Sequence, residues 1–199
     1  MDANHSSSSH QVAPVERRVA AIEEVFEQHG MEPKPFIETM THAAEEEWVP
    51  RNGARVVAKA WTDHAFRQRL FANGKNAVAE LGLSMPAHHR HLVALENTPT
   101  VHNVIVCTLC SCTAFTIIGL PPDWYKDLDY RARAVRESRT VLREMGLDLP
   151  PEIEIRVWDT TADTRYMVIP VQPAETIGWP EEKLVDIVTK ESMIGVARL

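Results

Sequence analysis

Cysteine is almost absent from this chain. Three occur in 199 residues, and all lie between Cys107 and Cys112. That excludes a disulfide framework, which needs cysteines spread along the chain. No apolar run is long enough to span a membrane. The opening residues, Met1 to Gln11, are polar and carry serine at positions 6 to 9, without the apolar stretch of an export signal. Residues 1–14 therefore read as a disordered N-terminus, and the protein as cytoplasmic with reduced thiols. Positive charge is in deficit. The formal net charge of −7 argues against nucleic acid as a main partner. Internal repeats are missing too. A hydrophobic content of 44% is ordinary, so the chain can form one good-sized domain or a smaller one with an arm.

What cysteine there is sits in Val106-Cys107-Thr108-Leu109-Cys110-Ser111-Cys112. In a tight turn, thiolates at this spacing can converge on one point. The amides of Ser111 and Cys112 lie between the sulfurs and can also ligate once deprotonated. That demands a strongly polarising ion. Zinc prefers four tetrahedral thiolates or imidazoles; soft sulfur with anionic nitrogen suits low-spin trivalent cobalt or iron. Spacing alone leaves two other readings open. A redox Cys-x-x-Cys pair gives the third cysteine no role. A zinc site needs a fourth ligand, and with no second Cys-x-x-Cys the nearest candidate is His102.

The run Cys107-Thr108-Leu109-Cys110-Ser111-Cys112 resembles the metal claw of the nitrile hydratase alpha-subunit family. Glu96 to Asn103 before it and Gly119 to Lys126 after it resemble the family as well. So do Tyr130-Arg131 to Arg139, Val157-Trp158-Asp159 and Glu191 to Gly195. The likeness runs from about Pro35 to the C-terminus. It implies Cys107, Cys110, Ser111 and Cys112 as metal ligands, with Cys107 as the unmodified axial thiolate. It implies sulfinate at Cys110, sulfenate at Cys112, and a catalytic trio of Cys112, Cys110 and Ser111. Thr108 resembles the cobalt branch, so the implied cofactor is non-corrin Co3+ rather than iron. The implied partner is a beta subunit, whole or split into two chains, whose arginines face the oxidised sulfurs; the chain alone is then inactive. The implied reaction is hydration of a nitrile to its amide. The related thiocyanate hydrolases carry a similar claw and remain an alternative, as does a non-catalytic zinc or redox module.

One departure stands out. The family follows its claw with Tyr-Pro-Trp or Thr-Pro-Trp, where Thr113-Ala114-Phe115 stands here. The smaller ring suggests a bulky nitrile, of the kind carried by the nucleoside antibiotic toyocamycin.

The expected fold class is α+β, a helical arm over 15–90 that packs on a partner subunit, followed by a layered α/β/β/α metal-claw domain over 91–199. Val15, Val19, Ile22, Val25 and Phe26 recur with helical period, closed by Gly30. A second helix is expected from Pro35 to Trp48, a turn at Asn52-Gly53, a third helix around Val56 to Trp61, and a fourth capped by Asp63. Lys75 to Leu81 reads as another short helix. His88, His89 and His91 read as a surface loop, since adjacent histidines point different ways. Leu92–Leu95, Val101–Val106, Ile153–Val157 and Arg165–Ile169 read as strands. Tyr130–Glu144 reads as one arginine-rich helix, its arginines pairing with a partner's acids or forming an exposed basic face. Glu181–Thr189 reads as a closing helix.

Overall fold

The computed structural model describes residues 13–199; residues 1–12, most of the stretch expected to be disordered, lie outside the described residues. Two compact units result, one ending at His42 and one from Ala43 to Leu199.

The first unit is a pair of helices, α1 (Val15–Gln28) and α2 (Pro33–His42), packed on each other. The expected periodicity of α1 is present. Yet Val15, Val19, Ile22, Val25 and Phe26 are all exposed, as are Phe36 and Ile37 of α2.

The second unit opens on a π-turn, Ala43–Glu47, and then α3 (Pro50–Thr62). Proline at the first helical position costs no hydrogen bond. Asp63 ends α3 and caps α4 (His64–Ala72), its carboxylate accepting from Phe66 N at 2.9 Å. Asn73 likewise caps α5 (Gly74–Ala79). Ala54, Val56, Val57, Ala58 and Ala60 of α3 are all buried, so this helix is core on nearly every side. The division expected at residue 90 is therefore not the one the chain makes. Helices α3 to α5 bury their apolar faces inside the second unit and belong with the metal-claw half.

Asn52-Gly53 is also no turn; both residues lie within α3. A Cβ on Gly53 would stand 2.6 Å from Met193 Sδ and 3.1 Å from the carbonyl oxygen of Ile117. The glycine serves a close approach rather than a bend.

Among the described residues, four strands form two parallel pairs. β1 (His91–Glu96) pairs with β4 (Thr164–Ile169), and β2 (Val101–Val106) with β3 (Glu154–Asp159), with Val106 opposite Asp159. Between β1 and β2 the chain reverses within four residues, closed by Thr98 N donating to Val101 O at 2.9 Å. The two pairs lie against each other; α4 and α5 cover β1, and a helix at Ser138–Glu144 covers β3. The class is α+β, as expected. β2 is buried from His102 onward, which suits parallel strands covered on both faces.

Four short helices follow the claw: α6 (Phe115–Ile118), α7 (Asp123–Lys126), α8 (Leu128–Ala134) and α9 (Ser138–Glu144). The single helix expected over 130–144 is thus broken at Val135 to Glu137. The break lets Arg133 reach Asp129, Glu137 and Glu144 together. The closing helix expected over 181–189 ends early, as α10 (Glu181–Val185), and a further helix not expected from the sequence follows it, α11 (Lys190–Ile194), opened by a reciprocal Thr189–Ser192 cap.

Candidate metal centre

Strand β2 ends at Val106, wholly buried, and the next residue is Cys107, 1% exposed. The chain then leaves the sheet and folds back on itself. Cys107 Sγ and Cys110 Sγ lie 3.3 Å apart, Cys110 Sγ and Cys112 Sγ 2.8 Å. All three sulfurs fall within 4.8 Å of one another. The cysteines are free.

These separations test what the claw can hold. At a metal–sulfur distance of about 2.3 Å, tetrahedral thiolates stand about 3.8 Å apart and right-angle thiolates about 3.3 Å. Both separations are short of the tetrahedral value; the 3.3 Å one equals the right-angle value and the 2.8 Å one is shorter still. Among the described residues the three sulfurs are alone as side-chain donors: His102, the possible fourth zinc ligand, is buried elsewhere, between Asn97 Nδ2 at 3.2 Å and the Gly195 carbonyl at 2.8 Å. The Cys107–Cys110 pair thus has right-angle spacing, and no fourth side-chain donor among the described residues completes a zinc tetrahedron.

Sulfur proximity also tunes acidity. The thiol of Cys110 is pulled down to about 7, chiefly because its thiolate accepts a hydrogen bond from Cys112. Burial pushes Cys112 up to about 11, and the neighbouring sulfur adds to this. One proton of the pair leaves readily and the second is held.

Side chains from distant elements fix the claw's backbone. Asp159, ending β3, accepts from Thr108 N at 2.9 Å and from the Thr108 hydroxyl. Tyr125 of α7 donates from its phenol to Cys112 O at 3.3 Å. Arg131 of α8 donates to Cys110 O. Tyr130 ties α8 to the sheet through Ile105 O at 3.2 Å. Burial drives both tyrosine phenols well above their usual range, so they act as neutral donors.

The segment that follows the claw enters an aromatic cluster. Phe115 meets Trp48 edge-on at 4.7 Å between ring centres and His89 at 5.4 Å. The histidine loop is on the surface as expected, with His88 exposed, but His89 is 2% exposed and its Nδ1 has no partner. Burial first, then the charge of Arg165, lowers its pKa to about 4. Of the arginine series, Arg136 remains exposed, its Nε donating to Ala132 O of its own helix at 3.0 Å, while two others are engaged within the chain. Arg133 pairs within the chain, and Arg139 donates to the carbonyls of Leu149, Pro150 and Ile153.

Toward solvent the claw is open. Cys110 is exposed and Leu109 is 88% exposed. Cavities of about 510 Å³, beside Trp124 and Arg133, and about 460 Å³, beside His102 and Leu199, include no claw residue.

The sequence profile described as "Nitrile hydratase, alpha chain" matches residues 13–197. This chain belongs to the nitrile hydratase alpha-chain family. It is 46% identical to the cobalt-containing nitrile hydratase subunit alpha of Pseudonocardia thermophila, over 90% of this chain and 88% of that one. A double mutant of the Fe-type nitrile hydratase from Comamonas testosteroni Ni1 is 53% identical, with a TM-score of 0.89 over 92% of this chain and 89% of that one. The thiocyanate hydrolase subunit gamma of Thiobacillus thioparus is 42% identical over 74% of this chain and 65% of its own length. Within the alpha-chain family, then, relatives this similar are named for cobalt and for iron.

Sequence reasoning singled out Cys107, Cys110, Ser111 and Cys112, and the fold brings the three sulfurs together. It missed Trp48, Tyr125 and the buried face of His89. No local signal marks these, because each acts across a tertiary contact.

Proposed function

We propose that this chain is the metal-carrying alpha subunit of a nitrile hydratase, and that it hydrates a nitrile to the corresponding amide together with a beta subunit. The observation that carries this reading is three free sulfurs converging within 4.8 Å of one another, open to solvent at the end of a buried strand, in a chain of this family.

Cys107, Cys110 and Cys112 would hold the ion through sulfur, and the main-chain nitrogens of Ser111 and Cys112 would complete its inner face. Cobalt is favoured by Thr108 and by the relatives named for it; the Fe-type neighbour makes iron the competing choice. The ion, when bound, supplies Lewis-acid polarisation of the nitrile. Everything else falls to the chain. Buried Cys107 gives a fixed thiolate. Cys110 is exposed and readily ionised, which suits its oxidation by dioxygen, whose two atoms become the sulfinate oxygens. Cys112, oxidised to sulfenate, presents an oxygen to the nitrile carbon or to water as nucleophile or base. Ser111 adds a hydroxyl at the pocket mouth. Phe115, Trp48 and His89 form the apolar wall this chain contributes, and the space left by a phenyl ring in place of indole suits a bulky nitrile.

The open claw calls for a second chain to close the pocket and to offset the charge of the oxidised sulfurs. The exposed apolar residues of α1 and α2 are the arm that grips that chain, whether it is one beta subunit or two shorter ones. No helix among the described residues is long and apolar enough to cross a membrane; with three unpaired thiols, the cytoplasm is the compartment we propose. Co-production with the beta subunit, followed by metal analysis and assay of amide formation, tests the reading. Cobalt with amide release is expected. Release of carbonyl sulfide from thiocyanate instead would place the chain with the thiocyanate hydrolases, which the 42% relative supports. Zinc, or no metal, would leave a structural or redox module.

A further inference from the structure

We propose that Arg131 is the cation that stabilises the Cys110–Ser111 peptide as a metal ligand. This rests on the reading of the claw as a site that binds its ion partly through Ser111 nitrogen.

The argument turns on which carbonyl Arg131 holds. Its guanidinium donates to Cys110 O. That oxygen belongs to the same peptide unit as Ser111 N. When Ser111 N binds the ion, its N–H bond breaks and the proton leaves to solvent. The negative charge left behind is shared across the peptide, between that nitrogen and Cys110 O, because the unit is conjugated. A guanidinium on the oxygen therefore acts on the ligand's charge without touching the ion. Hydrogen bonds to a charged acceptor are roughly twice as strong as neutral ones.

Two further observations fit. Arg131 is held in place rather than mobile. Asp127 caps α8 through Asp129 N at 2.8 Å and Tyr130 N at 3.0 Å, and Tyr130 anchors the helix to β2. In addition, Arg131 Nε is buried without a hydrogen-bond partner. A half-buried cation with one buried, unpaired nitrogen carries a cost, and a formal negative charge on the adjoining peptide repays it. A neutral carbonyl does so far less well.

Tyr125 supplies the internal control. It too donates to a claw carbonyl, Cys112 O, but that oxygen belongs to the peptide of Thr113 N, which is no proposed ligand. The two side chains brace the same loop, and only Arg131 sits on the oxygen of a proposed ligand.

The test compares wild type, Arg131→Gln, Arg131→Lys and Tyr125→Phe in the full chain, co-produced with its beta subunit in cobalt. Cobalt retained against a chelator and the sulfur-to-metal absorption are read, with circular dichroism to confirm folding. Arg131→Gln should retain cobalt roughly 10–100-fold less well and shift the absorption. Arg131→Lys should recover most of both, and Tyr125→Phe, which removes bracing alone, should lose less cobalt than Arg131→Gln and leave the absorption unshifted. Unchanged retention and absorption in Arg131→Gln overturns the proposal. So does an equal loss in Tyr125→Phe, which would mean ordinary bracing. Should Arg131→Gln fail to fold, Arg131→Lys decides: wild-type cobalt supports a role for the charge, and loss of cobalt in a folded protein overturns it. A wild-type complex holding neither cobalt nor iron removes the claw reading itself, and this proposal with it.

Discussion

Asp159 accepts two hydrogen bonds from Thr108, one from its main-chain nitrogen at 2.9 Å and one from its hydroxyl. The residues are 51 positions apart, joined because β3 ends beside β2 at Val106. Thr108 directly follows Cys107, so this contact sets the direction in which the chain leaves the strand. Asp159→Asn offers only one acceptor oxygen and turns an amide N–H toward the other donor. Metal retention should fall roughly 10–100-fold, while Thr108→Ser, which keeps both donors, stays near wild type. Equilibrium dialysis against a chelator measures this; equal retention in Asp159→Asn would contradict it.

Gly195 faces a harder constraint. Its φ is +94°, and a Cβ there would stand 2.0 Å from Asn103 O. Asn103 cannot retreat, since its nitrogen donates to Asn97 Oδ1 at 2.7 Å and its side chain bonds Glu96 O and Trp158. Gly195→Ala should cost about 3 kcal/mol or more. Gly146→Ala, at φ +93° with open space around it, should cost only about 1–2 kcal/mol. Urea unfolding of the two variants compares them directly.

Acid should weaken the fold through two histidines. His89 is lowered from 6.5 to about 4, by burial first and then by Arg165, His88 and Lys75. His102 is lowered by burial first; its bond to Gly195 O opposes this, and Arg198 adds to it. Both bind a proton more weakly folded than unfolded. Their contribution is therefore whole above the unfolded value near 6.5 and is lost as pH falls through the folded values, toward about 4 for His89. Melting temperature should drop across that window, and less so in His89→Gln. A flat profile would count against neutral buried imidazoles.

The arm should matter for assembly and little for folding of the chain itself. Ile22 is 55% exposed and Phe36 65%. Ile22→Asp with Phe36→Asp should leave the melting temperature of the isolated chain nearly unchanged. The same pair should weaken association with the beta subunit at least roughly tenfold, equivalent to about 1.4 kcal/mol. Analytical ultracentrifugation of the mixed subunits reads this out, and unchanged association would remove the arm reading.

The claw itself was legible in the sequence because its chemistry is local: six consecutive positions hold every thiol. The strands and the Asp63 cap were legible for the same reason, as short-range patterns. What was not legible depends on contacts across the fold. Asn52-Gly53 has the composition of a turn, yet its glycine is required by Met193, 140 residues away. Arg131, Tyr125 and Asp159 look like ordinary surface or helix residues until α7, α8 and β3 are placed around the claw. The helix expected over 130–144 has helical composition throughout, and its break at Val135 to Glu137, which sets Arg133 beside Glu144, shows only in the fold. The extent of the arm was misjudged because amphipathic helices do not declare what they pack on. Helices α3 to α5 cover their own sheet, whereas α1 and α2 leave apolar side chains in the open.

X-ray absorption at the metal edge of the purified complex is the most direct measurement of the central claim. It should show one low-spin six-coordinate cobalt per chain, with three sulfur neighbours and nitrogen or oxygen in the remaining positions. A four-coordinate zinc signal, or sulfur as the only protein neighbour, would contradict it.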